Sequence, residues 1–148
     1  MGEVKPSGSR PTAVTIIAIF LFVATGAAFI VGTSLLFPNS LMDRLWQLNP
    51  PAEAAFRAMG RISSVPLLLL GVGTFAAGLG LLHARKWAWW FAVILFAING
   101  AGDLVSFVAT GDWLRSASGV VISSAFLWSL IGRRVRMWFS TNSDFSMK

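Results

Sequence analysis

Four long apolar runs, separated by short polar stretches, organise this chain. The first, about residues 12–37, reads TAVTIIAIFLFVATGAAFIVGTSLLF and carries no charge. The second, about 62–83, centres on VPLLLLGVGTFAAGLGLL. The third covers about 87–110, and the fourth, about 115–133, centres on ASGVVISSAFLWSLI. A hydrocarbon core of about 30 Å requires roughly 20 mainly apolar residues per helical span. The third run meets that length only if it includes Asp103. Stopped at Asn99 it has 13 residues and reaches roughly 20 Å. The pattern predicts an all-α fold, a polytopic four-helix membrane bundle over residues 11–139. Residues 1–10 and 140–148 read as a disordered head and tail.

Polar positions between the runs add detail. In the first outer loop, SLMDRLWQLN places Leu41, Leu45 and Leu48 at helical spacing, with Asp43, Arg44 and Gln47 on the other side. That is the pattern of a short helix lying in the membrane interface. Asn49-Pro50-Pro51 ends it, and good helix formers follow, so the second helix is expected to start near Pro51 and to kink at Pro66. Along its span Gly73 with Ala77, and Ala76 with Gly80, form small-x-x-x-small faces that let backbones approach closely in lipid. The first run, preceded by Lys5 and Arg10, superficially resembles a signal peptide. Its 26 residues exceed the usual h-region of about 7–15, so an uncleaved helix is expected. MGEVKP also fails the myristoylation pattern, because Pro6 stands where Ser or Thr is required.

Composition agrees that lipid is the solvent. Of 148 residues, 55% are hydrophobic and only 12% charged, with a mean hydropathy of +0.70. So few charges cannot cover a water-soluble surface. The net charge of +6 alone would fit nucleic acid, but its distribution points to membrane orientation. Four spans put both termini and the turn near residue 85 on one side. That side holds Lys5, Arg10, Arg85, Lys86, Arg133, Arg134, Arg136 and Lys148 against Glu3 and Asp144. The other side holds Arg44, Arg57, Arg61 and Arg115 against four acids: Asp43, Glu53, Asp103 and Asp112. The positive-inside rule therefore places both termini in the cytoplasm of a cell (inner or plasma) membrane. Trp87, Trp89, Trp90, Trp128 and Trp138 gather near the basic end, as interfacial anchors do. Arg85, Lys86, Arg133, Arg134 and Arg136 are expected to contact anionic lipid headgroups.

Candidate chemistry is sparse. Asp103 lies in the outer third of the third span, with Asn99 one turn below it. The two are expected to face the interior, with Arg61 or Arg115 answering the carboxylate and Arg57 nearby. Two readings stand: a buried polar cluster that fixes helix register, or a ligand, ion or proton site, since intramembrane ionisable groups tend to be functional. Arg57 and Arg61 share a helix face, either reaching the headgroups or lining that site. No cysteine is present and His83 is the only histidine, so no metal set or thiol nucleophile is expected. Ser123 and Ser124 lack a base and are expected to bond their own helix backbone. No catalytic motif is present, and neither an enzyme nor a resident cofactor is expected. The expected role is a structural or accessory subunit that packs with itself or with a larger membrane complex. A small oligomeric permease or channel subunit, or a lipid- or quinone-binding bundle, are the alternatives.

Arg10-Pro11 opening the first helix, Val14-Thr15 just inside it, the basic turn before Trp87-Ala88-Trp89-Trp90, and Asn99-Gly100-Ala101-Gly102-Asp103 occur together. In these features the chain resembles small prokaryotic four-helix integral membrane proteins of uncharacterised families, over about residues 10–139. The resemblance implies a four-span fold and transfers no functional residue.

Overall fold

The computed structural model describes residues 9–37, 60–110 and 113–143, together with positions 47, 54, 56 and 58. It is all-helical, with no strand among the described residues. The elements are α1 (Thr12–Leu36), a 3-10 turn (Gly60–Ser63), α2 (Ser64–Leu82), α3 (Lys86–Thr110), α4 (Trp113–Ile131) and α5 (Arg133–Ser143). Among the described residues three helices are long and apolar enough to cross a membrane: Thr12–Leu36, Ser64–Leu82 and, within α3, Lys86–Val105. The apolar part of α4, Ala117–Ile131, is shorter. Large apolar side chains point outward on these helices, Val23 at 67%, Val108 at 79% and Trp128 at 85% exposure. Water would penalise such surfaces heavily, whereas lipid does not. These helices suggest a membrane protein.

Chain contacts resolve two compact units within what the sequence treats as one domain: Ile19–Ala76, and Met1–Ala18 with Ala77–Lys148. In the first, α1 and α2 run antiparallel in close register. Phe22 meets Phe75, with ring centroids 5.7 Å apart. The Thr25 and Thr74 hydroxyls are 2.9 Å apart and buried, each also within reach of a carbonyl one turn back. Farther along, a Cβ at Gly71 would press on Phe29 at 3.3 Å, and one at Gly32 would meet Leu68 at 2.9 Å. Small residues and paired hydroxyls thus bring the backbones together, as lipid-embedded helices require.

The N-terminal side of α2 corrects one expectation. No continuous helix runs from Pro51 through a kink at Pro66. Positions 54, 56 and 58 are helical, but Gly60 has φ +68°, a left-handed conformation that glycine adopts without strain. The 3-10 turn follows, tied by Ser63 Oγ donating to the Gly60 carbonyl at 2.7 Å. Helix α2 then starts at Ser64, so Pro66 lies in its first turn, where the missing N–H would have had no helical partner. The interfacial helix expected over 41–48 lies outside the described residues except for Gln47, which is exposed.

In the second unit α2 and α3 form a tight hairpin. The Arg85 N–H donates to the Gly80 carbonyl at 2.8 Å and the Ala84 N–H to Leu81 at 3.2 Å. Ala84 takes φ 56°. This is a Schellman C-cap with alanine in the left-handed position. A Cβ at Gly80 would collide with Ala88 at 2.5 Å and Trp87 at 3.0 Å, so only glycine lets the arms approach. Helices α3 and α4 pack antiparallel through Phe96 on Phe126, 4.9 Å between centroids, Gly100 on Ser123, and Asp103 on Gly119. After a bend at Gly132 the chain continues as α5, whose Val135 and Phe139 are buried while Arg133, Arg134, Arg136 and Met137 are exposed. Helix α5 runs to Ser143, four residues past the expected end of the helical domain at 139. Its apolar positions four apart give it a face to bury.

Candidate functional site

The basic end of the second unit is the most constructed region of the molecule. Two helix C-termini end there, and each leaves carbonyls with no partner in its own helix. Arg10, 72 positions away in sequence, donates from its guanidinium to the Leu82 carbonyl at 3.1 Å, at the end of α2. Its positive charge also suits the negative end of the helix dipole. Trp89 of α3 donates its indole N–H to the Leu130 carbonyl at 3.0 Å, near the end of α4. The Trp89 ring packs edge-on to Trp90 at 4.8 Å and tilted against Phe139 of α5 at 6.5 Å. Trp138 meets Phe139 edge-on at 4.9 Å. Trp89 is therefore a half-buried junction of three helices, whereas Trp87, Trp90 and Trp128 are exposed as interfacial anchors are expected to be.

This junction leaves a cleft of about 390 Å³ between the start of α3 and α5. Its walls are Trp89, Trp90, Phe139 and Ile131, with Lys86 and Arg136 at its edge and Ser140 beside them. That volume lies within the range of small-ligand sites, roughly 300–1,000 Å³. A neighbouring groove is lined by Arg133, Arg136, Met137 and Ser140. Of the five cations expected at anionic headgroups, the fold brings Lys86 and Arg136 to one cleft and adds Arg133 alongside. Arg85 and Arg134 are exposed and outside it. His83 is exposed and its Nδ1 lies 2.8 Å from the Leu79 carbonyl, which fits an interfacial residue.

The outer polar cluster is only partly assembled. Asp103 is half-buried in the α3–α4 seam, its carboxylate filling the space in front of Gly119. A side chain at position 119 would displace it. Asn99 is exposed, so the inward orientation expected of the pair holds for Asp103 alone. Asn99 lies about 60° round α3 from Phe96, beyond the edge of the seam. Arg57 and the side chains of Arg61 and Arg115 lie outside the described residues, and so does their expected pairing with Asp103. Ser123 also departs from expectation. The residue is buried at 5% exposure, packs its Cβ against Gly100, and makes no hydrogen bond to its own helix among the described residues. Below these groups Phe96 and Phe126 close the seam. Among the described residues no group of three His, Cys, Asp or Glu could hold a metal ion.

Sequence reading missed the Trp89 cap and the Thr25–Thr74 pair. The latter leaves a faint signal, Thr74 as the one threonine of the second apolar span. No protein-family model, curated protein or solved structure matches the chain.

Proposed function

We propose that the chain is an integral membrane protein crossing the bilayer four times with both termini in the cytoplasm, and that it serves as a structural or accessory subunit. It packs through the outer face of α3 against another membrane-embedded chain or a second copy of itself. The fourth span is α4, whose 19 residues reach roughly 28 Å. One observation carries the reading. Asn99 is exposed on α3, makes no side-chain hydrogen bond among the described residues, and lies 13 residues above Lys86, roughly 20 Å into the span. An unpaired amide in hydrocarbon is costly, and a partner helix relieves it. Gly102, one turn on, is exposed, and a Cβ there would meet nothing within 4 Å. A partner backbone can therefore come close. An oligomeric permease subunit is the second reading, supported by Asp103 and the buried Ser123; the Phe96–Phe126 pair beneath them argues against a pathway through the α3–α4 seam of a single chain.

The test is co-purification from native membranes in mild detergent, comparing wild type with Asn99→Leu and Gly102→Leu. A fixed partner or homo-oligomer should be recovered with wild type. Asn99→Leu should reduce its recovery about 3- to 15-fold, the range for interhelical polar contacts in lipid. A wild-type chain recovered only as a monomer would refute the reading.

A further inference from the structure

We propose that the cleft between α3 and α5 is a binding site for the phosphodiester headgroup of an anionic phospholipid; this rests on the membrane reading above. The two cations at the cleft edge, Lys86 and Arg136, come from different helices, so the fold converges charge that sequence alone scatters. The Arg136 guanidinium has no ion pair among the described residues and can present its planar donors to two phosphate oxygens. Lys86, the first residue of α3, adds a point charge beside the positive end of that helix. Ser140 lies at the rim, its hydroxyl donating to the Met137 carbonyl at 2.9 Å.

The apolar walls decide between a lipid and a free phosphate. Trp90 and Ile131 line the cleft and are themselves exposed at 57% and 53%. They extend it onto the outer surface of the helices, where acyl chains run. Trp128, one turn before Ile131 on α4, is also exposed, and an indole there marks the headgroup level. A phosphate held between Lys86 and Arg136 thus has its glycerol and first methylenes against indole and isoleucine. A free anion would leave those walls unused. Trp89, a half-buried wall of the cleft, bonds Leu130 of α4 and packs its ring on Phe139 of α5, and so helps hold together the helices that carry the two cations.

The purified full chain, in mild detergent, is titrated with phosphatidylglycerol and with phosphatidylcholine, and bound lipid is counted by native mass spectrometry. Wild type should retain one phosphatidylglycerol in preference to phosphatidylcholine. Lys86→Gln with Arg136→Gln should weaken phosphatidylglycerol binding about 30-fold, the combined effect of two headgroup-facing cations. The charge-matched pair Arg85→Gln with Arg134→Gln should change it less than about threefold, because neither residue lines the cleft. Ser140→Trp keeps every cation but fills the cleft, and should abolish the preference. Equal loss in the two charge-matched pairs would overturn the site in favour of diffuse attraction. Displacement of the bound lipid by equimolar inorganic phosphate would overturn the lipid assignment. Recovery of the wild-type chain from a detergent-free supernatant would sink the membrane reading itself, a result distinct from either.

Discussion

Replacing Trp89 with phenylalanine isolates the contribution of a single N–H. Phenylalanine keeps most of the aromatic contact with Phe139 and Trp90 but cannot donate. The Leu130 carbonyl, which receives the indole N–H at 3.0 Å, belongs to a fully buried residue. It is among the last carbonyls of α4 and has no helical partner. Leaving it unsatisfied costs about 1–3 kcal/mol. The loss is local, because Gly132 and α5 follow directly and α5 is held to α3 through the same tryptophan ring. An opening equilibrium shifted by that amount exposes the 133–136 segment about 5- to 150-fold more often. Trypsin at low concentration, acting on detergent-purified protein, reads this as the rate of cleavage after Arg133 and Arg134. Trp89→Phe should cleave faster by that factor, with helical circular dichroism unchanged. Trp90→Phe, which loses no indole bond among the described residues, should cleave within about twofold of wild type. A wild-type cleavage rate for Trp89→Phe would refute the capping argument.

Two further substitutions probe helix packing. In unfolding by sodium dodecyl sulfate, a double-mutant cycle of Thr25→Val and Thr74→Val should show a coupling of about 0.6 kcal/mol, and at most about 1.7; zero coupling would mean the hydroxyl pair holds nothing. Gly80→Val forces a side chain into Ala88 and Trp87 and should destabilise by about 1–3 kcal/mol in the same assay, whereas Gly26→Val, at a position where a Cβ meets nothing within 4 Å, should not.

Helix placement was legible because lipid imposes a simple length rule. The expected spans 12–37, 62–83 and 87–110 correspond to α1, α2 and α3 within a few residues. The break at Gly60 was not, because good helix formers on both sides hide one left-handed residue. Nor was α5, since the basic run reads only as a set of headgroup contacts until Val135 and Phe139 are seen to be buried. For the site, the sequence identified the cations but not which of them meet, because convergence of Lys86 with Arg136 depends on the bend at Gly132 and on the Trp89 bond. Asn99 and Asp103, four positions apart, were expected to share an environment. The seam against α4 is narrow enough that only Asp103 enters it.

The central claim is that lipid surrounds these helices and that the chain threads up and down so that every basic cluster lies on one face. The chain has no cysteine, so single cysteines at Ser9, His83, Thr141 and Gln47 report without background. All four positions are exposed. Labelling with a membrane-impermeant maleimide in sealed, oriented vesicles should reach positions 9, 83 and 141 from the cytoplasmic face only, and position 47 from the opposite face only. Positions 9 and 141 reacting from opposite faces, or all four reacting from both, would contradict the account.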